Sequence, residues 1–352
     1  MAVWHTVLQD PGLLQAIVDG LYASEVWRFS HACHVALQSI SSEGRLCCPH
    51  VYPSRGTTLS SALRCCQLQQ LKSIRPMTEL DSDPFLQDLV ERLALCCSLE
   101  ELGPISIDEG GGPFGVEDEV RNRSRPVPEE TRCIFSNSSL LMALGNAFEN
   151  LRSLERVSLT LRCVHDENEI GGLIAAMGSC KALKQLRLDL DTTMSSGGEM
   201  LAAVAQMLHE LAPERRLQSL TLGYSWFSEA SDETLHELQA AISELPLRFV
   251  GLLAPQDPEM GSLENACSVL GRSVEEVLVM EGWDHDGLVF PAFLEALCQC
   301  PRLKRLHLIG EVPEKLNVES FEQTLRVRLG GMPEVCVNCP LGIKIANHTL
   351  AH

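Results

Sequence analysis

The segment KALKQLRLDL (residues 181–190) decides how most of this 352-residue chain folds. Leu183, Leu186 and Leu188 follow the order apolar, two variable residues, apolar, one variable residue, apolar. Because side chains alternate between the two faces of a strand, this spacing predicts a short strand with one buried face. One such strand cannot bury its apolar face alone, so the segment predicts neighbouring copies of itself.

The pattern recurs along the chain at intervals of 27 to 34 residues. We call the first apolar residue of each copy its anchor. The anchors are Leu154, Leu183, Leu217, Leu247, Val274, Leu303 and, in a weaker copy, Met332. Two earlier copies are predicted with anchors at Leu68 and Leu99. Fixed-period similarity of this kind is typical of stacked repeat architectures.

Helical periodicity follows the strand pattern in several copies. Residues 169–180, 198–211, 231–245 and 290–300 carry apolar residues at i, i+3 and i+4 spacing. Ser231 is predicted to begin one of these helices because a serine before an acidic first turn is a typical helix start.

The repeat resembles the leucine-rich-repeat family over residues 67–342. The resemblance implies an α/β solenoid with a parallel sheet on its concave side and helices outside. It departs from the family at the position eight residues after the anchor, where an asparagine is usual. That position holds Arg162, Asp191, Ser225, Pro255, Gly282 and Glu311. We therefore expect less regular repeats.

Three segments do not follow the repeat. Residues 108–133 are rich in glycine, proline and charge and are predicted to be an inserted loop, either an inert surface insertion or a contact segment. Residues 46–66 are interpreted as a linker, and residues 343–352 as a C-terminal tail.

Residues 5–45 are predicted to form a separate helical module. The stretch resembles the F-box motif, and its matching residues are Pro11, Leu13, Leu14, Ile17, Leu21, Glu25, Val26, Phe29, Ser30, Ala32 and Cys33. It departs from the motif at Pro11, which lies one residue too close to the leucine pair, at Gly12, where an acidic residue is usual, and at Ala36, where an aromatic is common. A plain helical cap on the repeat array is the alternative.

The F-box resemblance implies a substrate-recruiting adaptor of a cullin-type ubiquitin ligase. The motif would dock on the small adaptor subunit of the ligase, and the repeats would hold a protein client. The implied docking residues are Leu14, Ile17, Leu21, Val26 and Phe29. A non-catalytic leucine-rich-repeat interaction scaffold with no ligase link is the alternative.

The client site is predicted on the concave face, at positions three, five and seven counted from each anchor. An apolar patch is expected there from Phe249, Leu253, Leu278, Met280 and Ile309, with Trp226 and Trp283 near the rim. Exposed apolar patches usually mark contact sites, and tryptophan is enriched at binding hot spots. A strand register shifted by one residue, or a tail folded over the patch, are the alternatives.

The charge and cysteine content of the chain disfavour several classes of partner and location. The net charge of −19 disfavours nucleic-acid and anionic membrane partners. The fifteen cysteines, several in adjacent pairs, are interpreted as reduced and mostly buried thiols, and a cytoplasmic or nuclear location is expected. No transmembrane segment is expected.

The sequence contains only weak matches to metal-binding or catalytic motifs. Cys336 and Cys339 have metal-site spacing without a second pair, and Asp284-His285-Asp286 reads as a solvated turn. Cys33 and His34 are adjacent, which is poor geometry for a thiolate–imidazole pair. We therefore predict no enzymatic activity, no cofactor and no metal site.

Overall fold

Ten strands form one parallel sheet in chain order in this computed structural model. The structure describes residues 50–51, 63, 68–74, 92–108, 137–162, 167–191, 197–223, 227, 230–253, 265–266, 270–280, 290–309, 318–329 and 333–337. The strands are β1 (His50–Val51), β2 (Ser73–Ile74), β3 (Glu101–Asp108), β4 (Arg156–Arg162), β5 (Gln185–Asp191), β6 (Ser219–Gly223), β7 (Phe249–Leu253), β8 (Glu276–Met280), β9 (Arg305–Ile309) and β10 (Glu334–Val337).

Helices connect the strands. The described α-helices are α1 (Asn137–Phe148), α2 (Glu167–Met177), α3 (Gly197–Leu211), α4 (Asp232–Glu244), α5 (Phe290–Cys298) and α6 (Val318–Leu329). Helix α1 packs against α2, α2 against α3 and α3 against α4, and α5 packs against α6. Strand, helix and parallel neighbouring strand alternate from β3 to β7 and from β8 to β10, which fits an α/β solenoid of the leucine-rich-repeat type.

The buried core lies between the sheet and the helices. In β5, Leu186 and Leu188 point into it with 1% and 0% of their surface exposed, together with the anchor Leu183. The helices contribute residues such as Leu173 and Leu208 to the same continuous cluster. The predicted alternation of strand residues is therefore observed, and its register is not shifted.

The ends of the helices match the predictions closely. Ser231 is the N-cap of α4, and its Oγ accepts a hydrogen bond from the backbone N–H of Thr234 at 3.1 Å. The predicted helices over 169–180, 198–211 and 290–300 correspond to α2, α3 and α5.

The copy predicted at Leu68 differs from its predicted position, whereas the anchor Leu99 is equivalent to Leu154 through the pairing of Glu101 with Arg156. Ser73 pairs with Glu101, which makes Leu71, rather than Leu68, equivalent to the anchor Leu99. Both leucines are buried, so the apolar pattern alone did not separate them. The 46–66 segment, expected to be a linker, contains β1, which pairs in register with β2.

Strand β3 carries a bulge against β4. Leu102 pairs with Val157 and Ile105 pairs with Leu159, so two residues of β3 oppose Ser158. Gly103 makes this possible with a φ of 120°, in a region that favours glycine. The helical module at 5–45 and the tail at 343–352 lie outside the described residues, as do residues 109–133 of the predicted loop.

Candidate protein-binding surface

The sheet face that points away from the helical core, which we call the strand face, carries three rows of side chains. The central row runs through fifth positions that pair directly from strand to strand. Its members are Ser158, Arg187, Thr221, Gly251, Leu278, His307 and Cys336. All are buried, although none belongs to the core on the helical side.

Close packing along the row explains part of this burial. A Cβ atom at Gly251 would lie 2.6 Å from Oγ1 of Thr221 and 2.9 Å from its Cγ2. The threonine side chain therefore fills the space above the glycine, and only 1% of it is exposed. The absence of a side chain at 251 thus lets the neighbouring strand pack tightly.

Ser158 and Arg187 form a polar pair in the central row. They are cross-strand partners, and both are about nineteen-twentieths buried, at 6% and 5% exposure. Arg187 Nη2 lies 3.5 Å from Asp189 Oδ2, whereas Arg187 Nη1 and Ser158 Oγ make no hydrogen bond within the described part of the chain. Burial lowers the pKa of Arg187, and the charge of Asp189 opposes that shift. Unsatisfied buried polar atoms are costly, but these two side chains are so deeply buried that they offer a partner little surface.

A charged group occupies β8 and β9. Glu276 Oε1 lies 2.7 Å from His307 Nε2, and Glu276 Oε2 lies 3.3 Å from Arg305 Nη2. His307 is 1% exposed, and no described residue forms a hydrogen bond with its Nδ1. The sequence placed all three residues on this face, but their pairing follows from strand register, which a single sequence does not reveal.

The predicted apolar patch divides into exposed and buried parts. Phe249, Met280 and Ile309 are partly exposed at the outer rows. Leu253 and Leu278 lie on the same face but are only 4% and 0% exposed, so they offer a partner little surface. Trp226 and Trp283 lie outside the described residues.

The polarity of the strand face changes from β4 to β9. Strands β4 and β5 present Arg156 and Gln185 in the first row, whereas β7 presents Phe249. Arg156 Nη1 also lies 3.9 Å from Glu101 of β3. The face is therefore polar at β4–β5 and partly apolar at β7–β9.

The remaining predicted sites are largely outside the described residues. These are the docking residues Leu14, Ile17, Leu21, Val26 and Phe29, the Asp284–Asp286 cluster, the Cys33-His34 pair, and Cys339. Cys336 is described and buried in β10. Within the described ranges, no group of three or more histidine, cysteine or acidic residues is arranged to hold a metal ion. In the same ranges, no helix has the length and apolarity needed to span a bilayer.

Two solved leucine-rich-repeat structures are similar to this chain. The leucine-rich-repeat-containing protein LegL7 from Legionella pneumophila is 12% identical, with a TM-score of 0.35, over 86% of this chain and 97% of its own. The internalin InlF from Listeria monocytogenes is 12% identical, with a TM-score of 0.26, over 90% of this chain and 96% of its own. No protein-family model and no curated protein match the chain. The ten-strand parallel sheet and the repeat identify the fold without these similarities.

Proposed function

We propose that this chain is a non-catalytic protein-interaction scaffold whose partner binds on the strand face. The observation that carries the proposal is the mixture of side chains on that face at β7–β9. Phe249, Met280 and Ile309 stay partly exposed there, beside the charged group of Glu276, Arg305 and His307. Apolar contacts flanked by charges are typical of protein interfaces.

The surface favours an extended partner segment over a small molecule. The partly exposed residues come from three adjacent parallel strands, and the repeat spaces them at intervals along the array. Side chains spread in this way can each contact a different residue of a peptide. We expect apolar side chains of the partner at Phe249 and Met280, and a polar group near Glu276 and Arg305.

The test compares two variants of the full chain. The double substitution Phe249→Gln with Met280→Gln removes apolar surface from the strand face without changing charge. The matched control, Met142→Gln with Val327→Gln, removes apolar side chains that are 61% and 76% exposed on α1 and α6. Each immobilised protein is incubated with cell lysate, and the retained proteins are quantified by mass spectrometry.

Proteins retained by the wild type and the control, but lost from the strand-face variant, would support the proposal. Equal retention by both variants would contradict it. Circular dichroism of each variant verifies that the fold is intact, so that a loss of binding is not a loss of structure.

The finer proposal is that this scaffold is a client adaptor of a cullin-type ubiquitin ligase. It is supported by the F-box-like order of residues 11–33. The full chain should then bind the purified small adaptor subunit of the ligase, and Leu14→Asp with Ile17→Asp should abolish that binding. The Phe249→Gln, Met280→Gln variant should bind the subunit normally. Absence of binding by the wild-type chain would leave the scaffold without a ligase link.

A further inference from the structure

A cleft lies between the ends of α4 and α5, on the side of the molecule where the strands begin. Its volume is about 1040 Å³. Its lining includes His236 of α4 and Arg302 just after α5. Leu270, Gly271 and Arg272 also line it. None of these residues belongs to the strand face, so the cleft is separate from the proposed client surface.

The cleft coincides with the shortest repeat. From Leu247 to Val274 the period is 27 residues, against 29 to 34 for the other intervals between Leu154 and Met332. A shorter repeat has less chain with which to fill the helical layer. The turn at Gly271 packs against α4, since a Cβ there would lie 3.4 Å from Cγ2 of Ile242.

Three arginines from separate turns line the cleft. Arg215 precedes β6, Arg272 precedes β8 and Arg302 precedes β9. All three are exposed, and among the described residues none of their side chains makes a hydrogen bond or an ion pair, although the charge of Arg302 acts on Glu275. The described residues of the lining include no aspartate or glutamate, although the whole chain has 47 acidic residues. Arginines that line a concave site make the local electrostatic potential more positive.

The backbone of Arg215 ends a short helical segment. Arg215 is the C-cap of the 3-10 helix Ala212–Glu214, and its backbone N–H donates a hydrogen bond to the carbonyl oxygen of Ala212 at 3.1 Å. Its φ of 51° lies in the left-handed region, and among the described residues it is the only non-glycine with a positive φ. The cap holds Arg215 in the turn that lines the cleft.

A neighbouring carboxylate, that of Glu275, is paired with a lysine. Glu275 Oε2 accepts a hydrogen bond from Lys304 Nζ at 2.7 Å. This bond, together with the charges of Lys304, Arg248 and Arg302, lowers the pKa of Glu275. Glu275 is therefore hydrogen-bonded to Lys304, whereas Arg302 acts on this carboxylate through its charge alone.

We propose that this arginine cleft binds an acidic peptide segment of a partner protein. Guanidinium groups form two parallel hydrogen bonds to a carboxylate, so three arginines can bind three acidic side chains. The cleft is far larger than one phosphate ion, and its arginines come from three turns, which suits a chain with spaced charges. The apolar residues Pro246 and Pro301 of the lining can contact the peptide backbone and aliphatic groups.

The test is a fluorescence-anisotropy titration of a fluorescein-labelled deca-glutamate peptide with the full chain. We expect saturable binding that weakens as the salt concentration rises, because the contacts are ionic. Arg272→Glu with Arg302→Glu should raise the Kd about tenfold or more. The matched control is Arg152→Glu with Arg328→Glu, which alters the net charge equally. Arg152 lies in the equivalent turn position, two residues before its anchor, and both control arginines are exposed. The control should change the Kd less than about twofold.

Three results would overturn the proposal. These are no binding of the peptide by the wild-type chain, an equal loss in the two double variants, and tighter binding of a labelled deca-thymidine than of the peptide. Thermal unfolding of each variant verifies that it is folded. The Phe249→Gln, Met280→Gln variant should bind the peptide normally, so the cleft and the client surface are tested independently.

Discussion

At the scale of single residues, Gly103 shows how one position adjusts the repeat. A Cβ atom there would lie 2.4 Å from the carbonyl oxygen of Ser158, which is backbone that cannot move aside. Gly103 also has a φ of 120°, which an L side chain rarely adopts. A side chain at position 103 would therefore suffer both a steric clash and an unfavourable backbone conformation.

We predict that Gly103→Ala lowers the free energy of unfolding by about 2–3 kcal/mol. Gly172→Ala is the matched control, since Gly172 lies inside α2 and an added Cβ meets no atom within 4 Å. Replacing a helical glycine by alanine should raise stability by about 0.5–1 kcal/mol. Urea unfolding of both variants measures the difference, and an unchanged stability of Gly103→Ala would show that the bulge is not as described.

Sequence alone did not predict the bulge or the burial of Leu278. The apolar spacing specifies which residues point to the core, and this was correct for Leu186 and Leu188. It does not specify how much of the opposite row is covered, because that depends on close packing such as Thr221 over Gly251.

At the scale of elements, the helix starts follow local chemistry. The N-cap Ser231 satisfies a backbone N–H of α4 that has no partner within the helix. Ser231→Ala should cost about 1 kcal/mol of stability, and Ser231→Asp should cost less because aspartate also caps helices. Thermal unfolding measures both changes. An equal loss for Ala and Asp would show that the hydroxyl does not act as a cap.

The strand-helix alternation was predictable because each element carries its own periodicity. The position of the copy that contains β2 was not predictable, because Leu68 and Leu71 are both apolar and only pairing with β3 distinguishes them. The arginine cleft was likewise hidden. Arg215, Arg272 and Arg302 are far apart in sequence and come together only when the turns stack.

At the scale of the whole molecule, three buried cysteines occupy the same place in their repeats, three residues before an anchor. They are Cys96, Cys180 and Cys300. Burial raises the pKa of each thiol to about 12 from an ordinary value of 9.0. The neutral thiols thus fill the core, as predicted from the sequence, whereas Cys97 is exposed.

These thiols should make the fold sensitive to alkali. A raised pKa in the folded state means that the stabilisation is complete below about pH 9 and is lost as the pH rises towards 12. We expect a loss of roughly 1 kcal/mol per thiol between pH 9 and pH 10. Urea unfolding of the wild type and Cys180→Ala across this range measures the effect. The variant should be less stable at pH 8 but should fall less steeply, and parallel pH profiles would contradict this account.

The most direct test of the strand face is oxidative footprinting of two methionines in the complex with a captured partner. Met280 lies on the strand face and is partly exposed, whereas Met142 lies on α1 and is 61% exposed. Mass spectrometry measures methionine oxidation in the free chain and in the complex. We predict that the partner slows oxidation of Met280 severalfold and leaves Met142 unchanged. Protection of Met142 with no change at Met280 would show that the partner binds the helical side instead.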